Sequence, residues 1–257
     1  MADGSRAVGE FCWINIMTPE PAGARAFFEA VLGWTFFVMP EVGHGIRVGG
    51  RDFGGLFDLN GPGTPPDLAP TMGVMVKVAS ADATAARVES LGGTLCLPPF
   101  DIGDKGRMAV CTAPDGARFD LWESRGSAGT AVDRSLPGAP SWFEALTTDV
   151  ARASAFYAEL FGWTPEVMPM PGFDYTSFKL GDLYTGGMMA ITPEMPGLTP
   201  VWATYFTVTD PDETAKVAAE RGGVVHVAPR DIPTIGRFCG ITSPQGVPFY
   251  AIRYLPR

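Results

Sequence analysis

The chain has 257 residues, 46% of them hydrophobic, which is enough apolar surface for one large or two ordinary cores. Its 28 acidic against 19 basic residues leave a net charge of -9, which repels phosphate backbones and anionic membrane surfaces and excludes both as expected partners. The start, MADGSRAVGEF, has no basic region followed by an apolar one, and no later run approaches the roughly 18 uncharged apolar residues of a membrane span, so a cytoplasmic location is expected.

In chain order, Phe11 to Met17 reads as a short strand leading into a helix, with Thr18 as its N-cap and Pro19 in its first turn. Phe27, Phe28, Val31 and Leu32 recur at helical spacing before Gly33 ends it. Runs such as GIRVGG then suit hairpin strands, and the Gly-Pro-rich loop NGPGTPP follows. The pattern starts again with the strand GVMVKV, Gly73 to Val78; Ser80 caps ADATAARVESL, and Gly92-Gly93 stops it. GRMAVCT and FDLWES close this second unit as strands.

The whole arrangement then repeats. Trp13 to Thr35 lies over Trp142 to Thr164 at a constant offset of 129, FDIGDKGRM over RDIPTIGRF and APDGARF over SPQGVPF at 130. In the second copy Asp210, Pro211 and Glu213 start the later helix with the spacing of a capping box. Residues 125–140, RGSAGTAVDRSLPGAP, are rich in small residues, Gly and Pro and separate the copies as a linker. The expected organisation is a first domain over 8–124, the linker over 125–140 and a second domain over 141–255. The fold class is α+β: a βαβββ unit used four times, two units per domain, with each domain's strands in one curved mixed sheet and its helices outside. The sheet's concave face is the natural pocket.

Trp13-x-x-Ile16-x-Thr18, Ala26-Phe27-Phe28, Leu32-Gly33-Trp34 and Asp115-Gly116-x-x-Phe119 resemble the vicinal oxygen chelate superfamily of glyoxalases, bleomycin-resistance proteins and dioxygenases. Trp142, Ala155-Phe156-Tyr157, Phe161-Gly162-Trp163 and Gly246-x-x-Phe249 repeat the pattern, so the resemblance covers nearly the whole chain. The FDIG/GRM and RDIP/GRF segments are similar to a bacterial subgroup of tandem, glyoxalase-like members. In metal-using members the resemblance implies a cage: a His or Gln opening the first strand of each βαβββ unit and a Glu near the end of its last strand, holding a divalent ion with open positions. Carried over, the opening positions here are Trp13, Gly73, Trp142 and Ala203, none of which offers a suitable lone pair. The closing positions are Asp120 and Tyr250 in the later units, and fall near Leu56 to Asp58 and Met188 to Met189 in the earlier ones. No metal site and no cofactor are therefore expected.

His44, in the glycine-rich VGHGIRV, reads as a solvated loop histidine, and His226 as a half-buried structural one. Cys12, Cys96, Cys111 and Cys239 are scattered without zinc-like spacing and read as reduced structural thiols. Asp101 with Arg107, and Asp231 with Arg237, read as hairpin salt bridges.

Strand alternation turns residues of one parity toward the cup. In the first domain these are Trp13, Asn15, Met17, Met75, Lys77, Arg118, Asp120 and Trp122; in the second they are Trp142, Glu144, Leu146, Tyr205, Thr207, Tyr250 and Ile252. Trp13, Asn15, Met75, Arg118, Trp122, Trp142 and Tyr205 are the candidate ligand contacts, and Asp120, Glu144 and Tyr250 the candidate acid–base groups. The same aromatics could equally fill a collapsed cup. Three functions follow: a metal-independent binder of a small aromatic or partly apolar molecule, in resistance or detoxification; a lyase, isomerase or ring-modifying enzyme; or a scaffold. A small-molecule ligand is the expected partner, with neither nucleic acid nor membrane.

Overall fold

The computed structural model describes residues 6–40, 42–61, 68–126, 129–130, 132–170 and 172–256. The NGPGTPP loop and the linker lie partly outside these residues. The βαβββ unit occurs four times. The first comprises β1 (Phe11–Thr18), α1 (Pro21–Leu32), β2 (Thr35–Met39), β3 (Gly43–Val48) and β4 (Arg51–Asp58). The second comprises β5 (Thr71–Val78), α2 (Ala81–Ser90), β6 (Thr94–Ile102), β7 (Gly106–Thr112) and β8 (Arg118–Ser124). The second copy repeats both, with β9 (Pro140–Thr147), α3 (Val150–Phe161), β10 (Thr164–Met170), β11 (Phe173–Leu180) and β12 (Leu183–Ala190), then β13 (Val201–Thr207), α4 (Pro211–Glu220), β14 (Val224–Ile232), β15 (Gly236–Thr242) and β16 (Pro248–Tyr254). Two eight-stranded mixed sheets result, with orders β2-β3-β4-β1-β5-β8-β7-β6 and β10-β11-β12-β9-β13-β16-β15-β14.

Helix starts follow local chemistry, with one correction. α1 begins at Pro21 with Glu20 as its N-cap, and Thr18 is the last residue of β1, its Oγ1 accepting a bond from the Glu20 N–H at 3.3 Å. The reason is Pro21 itself: a residue preceding proline is pushed out of the helical region, and Glu20 sits at φ -130, ψ 73. Ser80 caps α2 through Ala83 N–H, and Asp210 caps α4 through the N–H groups of Asp212 and Glu213. His44 is also corrected. It lies within β3, paired with Val38 and Leu56, and not in a loop.

By contacts the chain divides into two compact units, and each draws one βαβββ module from each copy. The first comprises Met1–Trp13, Gly73–Gly129 and Trp142–Ala203, and the second Ile14–Met72, Thr130–Ser141 and Thr204–Arg257. In the first, Trp163 packs with Phe11, Tyr157, Phe161, Phe178 and Trp202, and its indole N–H donates to the Gly9 carbonyl at 2.8 Å. In the second, Trp34 packs with Phe28, Phe53 and Phe206, and donates to the Gly138 carbonyl at 2.7 Å. Gly9 and Gly138 both have positive φ, +91 and +84, which an L side chain rarely adopts. The Gly-Trp motif of each copy is thus a core anchor whose acceptor is a glycine just before the first strand of the other copy.

The arginine bridges exist with an additional partner. Arg107 reaches Asp101 at 3.1 Å and holds both oxygens of Asp82, in the first turn of α2, at 2.7 and 2.9 Å. Arg237 does the same with Asp231 and with Asp212 of α4. These guanidinium forks hold the Asp82 and Asp212 carboxyls below their ordinary range and tie each hairpin to a helix N-terminus.

Candidate ligand-binding site

On β1, Ile14 and Ile16 are fully buried on the core side, whereas Trp13, Asn15 and Met17 are half-buried on the other. β1 runs parallel to β4, setting Gly55 beside Asn15 and Phe57 beside Met17. In the second copy Gly187 stands beside Glu144 and Met189 beside Leu146. The later modules place Asp120 beside Met75, Trp122 beside Lys77, Tyr250 beside Tyr205 and Ile252 beside Thr207. Candidate residues of each module therefore share a face.

In the first copy Trp13, Met75 and Trp122 join Cys12, Ile102 and Met108 in one apolar cluster. Asp120, 5% exposed, lies between Met75 and Val110, with the half-buried Arg118 two residues earlier opposite Thr112. The Lys77 ammonium donates to the Arg6 carbonyl at 2.8 Å. Burial raises the thiols of Cys12 and Cys111, so both stay protonated near neutral pH; among the four free cysteines only Cys96 is exposed.

In the second copy Glu144, 7% exposed, accepts a hydrogen bond from the Tyr175 hydroxyl at 2.9 Å, and that hydroxyl accepts one from the Trp142 indole N–H at 2.8 Å. Gly187 makes this geometry possible: a Cβ there would fall on the Tyr175 hydroxyl and ring. In the later module Tyr205 and Tyr250 stack at 4.7 Å, and Phe238 lies 6.2 and 6.3 Å from the two rings. His226 meets the Tyr250 ring edge-on at 5.5 Å, above Gly240, with Nδ1 3.1 Å from Thr242 Oγ1.

Three comparisons with other proteins bear on this arrangement. Residues 11–121 and 140–249 match the family described as Glyoxalase/Bleomycin resistance protein/Dioxygenase superfamily. The chain is 34% identical over 251 residues, 95% of each chain, to "Putative glyoxylase CFP32" of Mycobacterium tuberculosis, and 30% identical to "Anthracycline biosynthesis protein DnrV" of Streptomyces peucetius, over 96% of this chain and 94% of that one. The chain belongs to the glyoxalase/bleomycin resistance/dioxygenase superfamily. Its fold is also that of the Mn(II)-bound glyoxalase from Novosphingobium aromaticivorans, with a TM-score of 0.67 at 15% identity over 98% of this chain and 84% of that one.

Superfamily members that use a metal need imidazole, amide or carboxylate donors at the cage positions. The registers show which residues near the two positions left open in the sequence share the face of the candidate residues. Phe57 and Met189 share the face of Asn15 and Glu144, while Leu56 and Met188 are fully buried on the opposite one. Asp58 is exposed at the strand end and accepts from the Asn60 N–H. Only Asp120 and Tyr250 therefore carry oxygen at cage positions, and among the described residues no group of three His, Cys, Asp or Glu could hold an ion. This donor set does not fit a divalent metal.

One residue, Tyr175, escaped the sequence reading, and the reading of a second, His226, is corrected. Tyr175 has no aromatic counterpart in the first copy, where register places Gly43. His226 is exposed, not half-buried: it sits where the β14 register shifts between Val225 and Val227, on the outward side of a strand whose burial alternates through that shift. Cys96 occupies the same register shift of β6, between Leu95 and Leu97. Desolvation holds the His226 imidazole below its ordinary value of 6.5. A lowered histidine means the fold favours the neutral ring, so its contribution is complete above the unfolded value and is lost as pH falls through 6.5 toward the folded value. His226→Gln is expected to flatten the loss of unfolding midpoint between about pH 7 and about pH 5, as read by urea titration.

Proposed function

We propose that this superfamily member is a metal-independent, cytoplasmic protein whose two copies, residues 8–124 and 141–255, use their cup-facing strands to bind a small aromatic or partly apolar molecule in resistance or detoxification. What supports this reading is the replacement of donors by rings: Trp13 and Trp142 stand at opening positions of the cage that the resemblance implies, Phe57 lies beside Met17, and Tyr205 and Tyr250 stack on each other. Such faces present flat apolar area with few polar groups, the makeup of a pocket for a planar ligand. The relatives named for anthracycline biosynthesis support the same class, since anthracyclines are flat, polycyclic aromatics.

The test uses quinizarin, a hydroxylated anthraquinone, and the full-length protein dialysed against a chelator. Quinizarin is expected to quench tryptophan fluorescence with the same Kd before and after reloading with manganese, nickel or zinc. It should stabilise the fold by about 2.7 kcal/mol at a hundred times Kd. Trp13→Ala or Trp142→Ala should weaken binding. A stoichiometric ion whose removal abolishes binding overturns the reading.

A second reading, an enzyme of the lyase, isomerase or ring-modifying type, is favoured by one observation. The bonded series Trp142–Tyr175–Glu144 fixes a buried carboxylate beside aromatic surface, as acid–base catalysis requires. Turnover abolished in Glu144→Gln supports it.

A further inference from the structure

Of the four modules, the one with Glu144 couples a buried charge-bearing group to a positioning device, and the chemistry of that device specifies what the site selects. The Tyr175 hydroxyl has one proton, and it goes to Glu144 Oε1; the lone pair facing Trp142 is taken by the indole N–H. The phenol is held from both sides and cannot rotate its donor elsewhere without breaking two bonds. Glu144 is thereby presented as a hydrogen-bond acceptor in fixed orientation, on the β9 face shared with the half-buried Trp142.

The first copy keeps the tryptophan and the glycine of this device and lacks its carboxylate and its phenol. Asn15 stands where Glu144 is, and Gly43 where Tyr175 is; beside Asn15, Gly55 leaves its space to the Phe57 ring. Trp13, the counterpart of Trp142, packs instead into the apolar cluster with Met75 and Trp122. The two copies share a fold and an aromatic face, and at this position they differ in charge and in donor–acceptor character.

We propose that Glu144 is the specificity-determining residue of the second copy, accepting a hydrogen bond from a hydroxyl borne by the aromatic ligand, and that Tyr175 is its positioning residue. The inference rests on the aromatic-binding reading above and narrows it to hydroxylated aromatics. A carboxylate accepting from a phenol forms a charge-assisted bond. An ether at the same place has no proton to give and leaves the buried carboxylate facing a methyl group. Sites built to pair with a hydroxyl reject analogues lacking it far more strongly than apolar pockets reject an added methylene.

The test compares 2,6-dihydroxyanthraquinone, whose hydroxyls lie away from its own carbonyls, with its dimethyl ether by fluorescence quenching on the full-length protein. Wild type is expected to bind this free phenol at least tenfold more tightly than the ether. In Glu144→Gln, whose amide can donate to an ether oxygen, the ratio is expected to fall to within about threefold. Tyr175→Phe keeps the ring and removes the hydroxyl; it should weaken the free phenol about fivefold more than the ether, a split that merely structural damage would not produce. Equal affinities in wild type, or an unchanged ratio in Glu144→Gln, overturn the inference and leave the aromatic-binding reading standing. Failure of both probes to bind overturns the two together.

Discussion

Trp163→Ala is expected to destabilise the protein by about 3–5 kcal/mol, the cost of emptying a large aromatic site in a packed core. The indole is 3% exposed and has five ring neighbours within 6.1 Å, with Phe161 at 4.9 and Phe178 at 5.2 Å. Its N–H also satisfies the Gly9 carbonyl, which alanine leaves without that donor. Trp163→Phe separates the two effects. It retains most of the apolar contact and loses only the bond, for which about 1–3 kcal/mol is the usual penalty. Urea titration reads both, as a lower midpoint at unchanged slope. A loss below about 1 kcal/mol in Trp163→Ala would mean that the indole is not the anchor its contacts describe.

That tryptophan was legible in the sequence as part of a repeated Leu-Gly-Trp or Phe-Gly-Trp motif, though its acceptor was not. Gly9 and Trp163 are 154 residues apart, and no local spacing rule connects them. The same limit applies to Arg107. Its hairpin partner Asp101 is six residues away and was readable, whereas Asp82, 25 residues away on α2, came from the packing of a helix against its hairpin. Periodicity was sufficient for the four βαβββ modules, because each helix and strand carries its own apolar pattern and punctuation. It misplaced the start of α1, since two prolines follow Thr18 and only the second can occupy the first helical position once its effect on Glu20 is counted.

The candidate site was legible by parity and illegible in its interactions. Trp13, Met75 and Trp122 do come together, as do Tyr205 and Tyr250, and Glu144 and Trp142 lie on the same face of β9. Tyr175 was missed because its role depends on β12, where a glycine leaves the space its hydroxyl occupies. An aromatic residue in one copy opposite glycine in the other is the sequence signal that could have revealed it.

Gly187→Ala is the sharpest test of that dependence, and its effect is expected to exceed that of the matching change in the first copy. At both Gly187 and Gly55 an added Cβ would meet a ring, Tyr175 in one case and Phe57 in the other. The half-buried Phe57 has no polar group to detach and can swing outward, so Gly55→Ala is expected to cost less than about 1 kcal/mol, within the usual range for tolerated packing changes. Tyr175 cannot move without releasing both the Trp142 N–H and the Glu144 carboxylate. Gly187→Ala therefore combines overpacking with two broken hydrogen bonds, for a loss of about 1–3 kcal/mol. Trp142 fluorescence should change in the same variant, because its indole loses its acceptor. Equal, small losses in the two variants would show that the Tyr175 hydroxyl is not held in place, and that Glu144 owes nothing to it.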